Sequence, residues 1–240
     1  MRDLIEQEKA EIASLFSCSD RKILKDLLNK INTLTGANIN YLVELDTFDI
    51  AGSGRIIVDY INNFQSETLK AYLIRQLVFD RITNCDQVLL QLYLGFKASK
   101  EYISPQGVPA PAHIYARYDN AFRKVRSKKI ANDLVSLVKN PRDAFYLPLT
   151  TLLLASWKIP EIKLILLSYA DVQNNLGFSE DQDTIFPPYS FIRRQLRLIA
   201  IQGLKHYPSI EASEVVNSCV EEDDTDIKTA AQKVIQAWKQ

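Results

Sequence analysis

Apolar residues recur three and four positions apart along most of this chain, which is the spacing of one face of an α-helix. Residues 3–16 carry a short version of the pattern. Ser19 is a good N-cap for a helix over 20–34 with Ile23, Leu27, Leu28, Ile31 and Leu34 on one face, and Gly36 is a stop signal. Residues 38–50, with Tyr41, Leu42, Val43 and Leu45, fit a short helix or a strand; the helical surroundings favour helix. Ala51-Gly52-Ser53-Gly54-Arg55 reads as a turn opening a helix whose face is Ile57, Tyr60, Ile61 and Phe64. Ser66-Glu67 begins the next helix, to about residue 83, and Asn84 caps a successor with Val88, Leu89, Leu92, Tyr93 and Phe96.

Three prolines and a glycine make residues 104–111 an irregular loop. A helix follows with Ile114, Tyr118, Ala121, Phe122 and Val125. Its apolar phase slips at Ser127-Lys128-Lys129 and resumes at Ile130, Leu134, Leu137 and Val138, which predicts a break capped by Ser127. Asn140-Pro141 opens a largely apolar helix through Leu149, Leu152, Leu153 and Trp157, expected to lie centrally. Ile159-Pro160 starts a partner with Ile162, Ile165, Leu166 and Tyr169. Residues 174–187 form a polar, acidic loop.

The last fifty residues hold three helical patterns in a row. The first has Ile192, Leu196, Ile199, Ala200 and Tyr207, and Tyr207-Pro208-Ser209 stops it. The second has Ala212, Val215, Val216, Cys219 and Val220. The run Glu221 to Asp224 then suits the positive N-terminus of a third helix with Ile227, Ala230, Ala231, Val234, Ile235 and Trp238. Trp238 is expected to be a terminal packing residue.

The first and third of these helices share a finer signature. Leu196-Arg197-Leu198-Ile199-Ala200-Ile201 and Ile227-Lys228-Thr229-Ala230-Ala231-Gln232 both read apolar, basic, two spacers, small residue, and Arg197 and Lys228 lie 31 residues apart. A repeat of that length built of helix, turn and helix is a solenoid signature. Asp224-x-Asp226-Ile227-Lys228-x-x-Ala231-x-x-Val234-Ile235 resembles the first helix of a HEAT repeat. Ile74-Arg75-Gln76-Leu77 echoes Ile192-Arg193-Arg194-Gln195-Leu196, marking 66–98 as a second, degenerate unit. The resemblance implies an all-α fold: a right-handed solenoid of about ten helices in antiparallel pairs, with 1–240 a single domain.

Composition fits this. Only 7 Gly and 9 Pro in 240 residues argue against an all-β fold. Lys plus Arg equal Asp plus Glu, 29 against 29, so the whole chain offers no global attraction to nucleic acid or anionic membrane. Cys18, Cys85 and Cys219 are far apart in helix-like contexts, as for buried free thiols in a reducing compartment. The charged N-terminus shows no secretory signal, and the most apolar run, 147–157, is too short to span a bilayer. A soluble cytoplasmic protein is expected.

Catalytic chemistry finds little purchase. His113 and His206 stand apart, without Cys or carboxylate at metal-ligand spacing, and no Gly-x-Ser-x-Gly or Cys-x-x-Cys occurs. No metal or cofactor is expected. Gly52-Ser53-Gly54 could form a phosphate nest but lacks the Lys-Ser/Thr of a P-loop, so a plain turn is the better reading. His206 reads as a helix-end charge or cap.

Charge segregation is the informative feature. Between Ala112 and Lys129, Arg117, Arg123, Lys124, Arg126, Lys128 and Lys129 face only Asp119, with Tyr115, Tyr118 and Phe122 interleaved. Tyr118 and Phe122 fall on the apolar face and read as core. Arg193, Arg194 and Arg197 form a second cluster. Like charges one turn apart repel unless something negative neutralises them. That something is a phosphate backbone, an acidic partner, or the chain's own carboxylates at Glu180, Asp181, Asp183 and 221–226.

Arg117, Arg123, Arg126, Arg193, Arg194 and Arg197 are therefore the candidate binding residues, expected on one surface for an acidic protein partner. HEAT-like proteins of this size include adaptors, inhibitors and immunity proteins, and a non-enzymatic protein-binding module is the leading expectation. The alternative is the HEAT-like family of DNA glycosylases that excise alkylated purines in a basic concave cleft. Asp143 and Trp157 are its nearest candidates, but no motif matches and no catalytic residue is carried over. A HEAT-like chromophore lyase is a third class, to which no residue points.

Overall fold

The computed structural model describes residues 6, 17–46, 52–79, 85–98, 112–174, 176–177 and 188–239. The expected helix over 3–16 apart from residue 6, the proline-rich loop 104–111 and most of the acidic loop 174–187, with Glu180, Asp181 and Asp183, lie outside them. Every regular element among the described residues is helical: twelve α-helices and two short 3-10 turns, against the ten or so expected. No described helix is long and apolar enough to cross a membrane. The chain divides into two compact units, Met1–Tyr102 with Ala110–Val125, and Ile103–Pro109 with Arg126–Gln240.

The first unit holds α1 (Cys18–Thr35), α2 (Gly54–Ile61), α3 (Glu67–Phe79), α4 (Cys85–Ala98) and α5 (Ala112–Val125). Ser17, not Ser19, caps α1, its Oγ accepting from the Asp20 N–H at 3.0 Å. Asp20 is thereby released for a longer tie: its buried carboxylate accepts from the Gln65 N–H at 2.8 Å, 45 residues away. Gly36 ends α1 at φ 72°, a left-handed cap that its lack of a Cβ allows. Within 38–50 the described residues form a short 3-10 helix, Leu42–Asp46, the helical of the two expected alternatives, and residues 47–50 lie outside the described ones. Asn32 stitches the preceding segment to α1 by exchanging 2.7 Å hydrogen bonds with the backbone of Ile39.

Helix α3 packs on α2, α4 and α5, and α4 packs on α5. Tyr93 and Phe96 of α4 meet Tyr115, Tyr118 and Phe122 of α5 in a buried aromatic cluster, mostly edge-to-face. Tyr118 and Phe122 are core residues, as their place on the apolar face implies. Tyr118 donates to the Leu92 carbonyl at 3.2 Å, and burial, then the Glu67 charge, pushes its phenol far above the usual range.

The second unit holds α6 (Ala131–Val138), α7 (Pro141–Tyr146), α8 (Pro148–Ser156), α9 (Pro160–Ala170), α10 (Tyr189–Leu204), α11 (Ile210–Val220) and α12 (Thr225–Trp238). The helix expected over 141–157 is split at Leu147. Pro148 disfavours helical backbone in the residue before it, and Leu147 sits at φ −120°, ψ 50°. Backbone hydrogen bonds from Leu147 to Asp143 and from Thr151 to Leu147 keep the two pieces joined. As expected of a central helix, α8 buries Thr150, Thr151, Leu153, Leu154 and Ala155.

Packing in this unit follows chain order. Helices α8, α10 and α12 contact one another in sequence, α9 contacts α11, and α9–α10 and α11–α12 are close pairs. Tyr169 of α9 donates to the Val138 carbonyl at 2.7 Å, and Tyr207, after α10, donates to the Ile159 carbonyl at 2.8 Å. Gly203 of α10 marks a close approach to α9 and α8. A Cβ there would stand 2.8 and 3.1 Å from the Leu166 methyls and 3.4 Å from Ala155 Cβ. Half-buried Trp238 ends α12 by donating from Nε1 to the Lys205 carbonyl at 3.0 Å.

Two further expectations change. Cys85 and Cys219 are buried free thiols, their pKa raised chiefly by burial, but Cys18 is exposed at the start of α1. His206 follows α10, yet burial first, and then Lys205 and Lys158, push its imidazole below the ordinary value. That shift weakens the charge alternative for His206 and leaves the cap alternative as it stood.

Candidate functional site

Helix α10 is where the chain concentrates charge beside its core. Ile192, Leu196, Ile199 and Ala200 turn inward. Arg194 and Arg197, three residues apart on an adjoining strip, meet the turn between α11 and α12. Arg194 grips Asp224 with two hydrogen bonds, Nε to Oδ2 at 2.6 Å and Nη2 to Oδ1 at 3.0 Å, and its Nη2 also donates to Asp226. Asp224 does two jobs at once, because its Oδ1 also caps α12 by accepting from the Asp226 and Ile227 N–H groups at 3.0 and 3.2 Å. The Arg194 guanidinium, helped by those N–H groups, holds the Asp224 carboxyl below its usual range.

Arg197 is buried, and Nη1 and Nη2 each donate to Glu222, the first at 2.8 Å. Its Nε reaches the Ala170 carbonyl at 3.3 Å, and Nη2 lies 3.8 Å from Cys219 Sγ. Burial works against its charge, but Glu222 more than offsets that and raises its pKa. Arg194 and Arg197 thus fasten the last helical hairpin onto α10. Half-buried Arg193 has no carboxylate within 4.0 Å among the described residues.

The other candidates differ among themselves. Half-buried Arg117 on α5 lies over the Tyr72 ring, with 4.0 Å between its guanidinium carbon and the ring centroid. Helix α5 ends at Val125, Arg126 takes the left-handed conformation at φ 50°, and Ser127 is extended at φ −82°, ψ 120°. The Ser127 hydroxyl accepts from the Lys129 N–H at 3.3 Å and opens the 3-10 turn Lys128–Ile130 before α6, the break expected from the slipped apolar phase. Arg123, Lys124, Arg126, Lys128 and Lys129 are all exposed. No carboxylate lies within 4.0 Å of Arg123, Arg126, Lys128 or Lys129 among the described residues.

The structure therefore sorts the six arginines by what already occupies them. Arg194 and Arg197 hold carboxylates of their own chain, Arg117 holds an aromatic ring, and Arg123, Arg126 and Arg193 hold no such partner. Lys128 and Lys129 join the open group; their place in the same charge run was the available signal. Asp143 is buried beside the Asn140 cap of α7, and Trp157 is a half-buried cap residue of α8. No cluster of three or more His, Cys, Asp or Glu suited to a metal occurs among the described residues. No protein-family model, curated protein or solved structure matches this chain.

Proposed function

We propose that this chain is a HEAT-like, right-handed α-solenoid that works in the cytoplasm as a non-enzymatic protein-binding module, docking an acidic protein partner through residues 123–129. The observation that carries the reading is the run of five exposed cations, four of them without a carboxylate partner. Five of the seven residues from 123 to 129 are cations, so covalent connectivity alone keeps them close together. Arg supplies planar, bidentate donors for carboxylates, and Lys adds point charge. Chain-order packing in the second unit, with alternate helices α8, α10 and α12 in one row and α9 and α11 in another, is how a stacked-repeat fold packs. Arg193 is a secondary contact in this reading, and Arg194 and Arg197 shape the fold rather than the ligand.

Binding to immobilised poly-L-glutamate at low ionic strength tests it, with duplex DNA as the parallel probe. Arg123→Glu/Arg126→Glu should abolish poly-glutamate binding and leave the melting temperature nearly unchanged. Arg194→Glu should lower the melting temperature and leave binding largely intact. Loss of stability with full retention of binding in Arg123→Glu/Arg126→Glu would sink the reading. Tight duplex binding with a steep salt dependence, lost in the same variant, would favour the DNA-repair alternative.

A further inference from the structure

We propose that one end of the second unit is a peripheral docking surface for an anionic lipid bilayer. It uses residues other than 123–129 and stands apart from the acidic-partner reading. Leu164 and Ile210, 67% and 79% exposed, are the two most exposed large apolar side chains among the described residues. Both stand on regular helices. Ile210 opens α11 behind the Ser209 cap, whose Oγ accepts from the Ala212 N–H at 3.2 Å, and Leu164 lies one turn into α9. Their neighbours Lys163 and Glu211 pair at 2.7 Å, which brings the two helix starts together.

Further contacts gather the ends of α8, α10 and α12 at the same place. Tyr207 donates to the Ile159 carbonyl and Trp238 to the Lys205 carbonyl, while Lys158 and Lys205 both act on His206 through their charge. Trp157 and Trp238, the only two tryptophans of the chain, are half-buried here. Lys158, Lys205 and Lys239 close α8, α10 and α12. All three are exposed, with no carboxylate within 4.0 Å among the described residues. The acids beside them are Glu161 and Glu211, and Glu211 is occupied by Lys163.

This mixture selects the partner. Protein interfaces favour Arg and are poor in Lys, and a nucleic-acid backbone gains nothing from protruding aliphatic groups. A bilayer uses all three components: aliphatic side chains enter the acyl boundary, Trp and Tyr rings lie at headgroup level, and lysines reach the anionic headgroups. The chain has no net charge, so the attraction is local. Lys158 also stands at φ 57°, the left-handed position past a helix end where glycine fits best. Lys158→Gly therefore removes the cation and relieves the backbone, which separates binding from stability.

The full-length protein is mixed with phosphatidylcholine vesicles, with or without phosphatidylserine. Binding is read by flotation and by quenching of tryptophan fluorescence with brominated lipid. The phosphatidylserine vesicles should bind at least about tenfold more tightly than pure phosphatidylcholine, less so in high salt, with the tryptophans quenched. Ile210→Ser should weaken binding at least about tenfold. Lys158→Gly should weaken it about fivefold with the melting temperature unchanged or raised. Failure to bind the anionic vesicles overturns the proposal. So does binding that Ile210→Ser leaves intact, or that only Arg123→Glu/Arg126→Glu abolishes, since the bilayer then meets the 123–129 run. Poly-L-glutamate binding that Ile210→Ser abolishes, without vesicle binding, gives this end to a protein and overturns the proposal as well.

Discussion

Replacing Gly203 by alanine separates two opposed effects. Glycine inside a helix is disfavoured by about 1 kcal/mol against alanine, so propensity alone predicts stabilisation. The new Cβ, however, would sit 2.8 Å from Leu166 Cδ1, closer than real contacts allow, and 3.4 Å from Ala155 Cβ. Leu166 and Ala155 are both fully buried, so neither can move into solvent. Overpacking of this kind costs about 1–3 kcal/mol. The net expectation for Gly203→Ala is a loss of about 1 kcal/mol from the second unit, read by urea denaturation. Gly95 is the control: it is exposed in α4, has nothing within 4 Å of its added Cβ, and should gain about 0.5–1 kcal/mol on substitution by alanine. Leu166→Ala alone should cost about 2–5 kcal/mol, and combined with Gly203→Ala it should cost clearly less than the sum, because the clash is gone. If Gly203→Ala stabilises as much as Gly95→Ala, α10 does not approach α9 this closely.

Other outcomes follow from the same contacts. Arg197→Ala leaves Glu222 and the Ala170 carbonyl without their buried donor and should cost about 2–4 kcal/mol by urea titration, with Arg197→Met recovering part through packing. Trp238→Ala should cost about 2 kcal/mol, since the ring is half-buried, and Trp238→Phe about 1 kcal/mol for the lost bond to Lys205; a loss within about 0.5 kcal/mol for the alanine variant would show that other residues dock α12. Asp224 and Glu211 have folded pKa values depressed by Arg194 and Lys163, so the stability they contribute is present above about pH 4 and is lost as pH falls through the depressed values. Melting temperature should drop below about pH 4, and Arg194→Gln should flatten that drop; an unchanged profile would show that the Arg194–Asp224 pair contributes nothing.

The helices were legible where periodicity and stop signals agreed. The phase slip at Ser127 marked the break now seen there, and Pro208-Ser209 and Asp224 marked the last two helix starts. Errors arose where two residues of one chemistry compete. Ser17 and Ser19 both suit a cap, and Asp20's commitment to the distant Gln65 N–H is invisible in local sequence. Pro148 sits in so apolar a run that periodicity bridged it, although its restriction on Leu147 is a local rule. The arginine clusters were visible as composition, but partition by occupancy depends on tertiary distance: Arg193 and Arg194 are neighbours in sequence, and only Arg194 meets Asp224. The need for a glycine at Gly203 does not show in the local sequence, because the close approach of Leu166 comes from another element. His206 read as a helix-end charge or cap because the desolvation that lowers its pKa depends on what packs around it.

Hydrogen exchange with and without poly-L-glutamate tests the docking surface most directly, because it locates the ligand without a substitution. Protection on binding should fall on the peptides spanning 123–129 and disappear at high ionic strength, with α10 and α12 unchanged. Protection concentrated on residues 192–197 and 224–228, with 123–129 exchanging as in the free protein, would contradict the account.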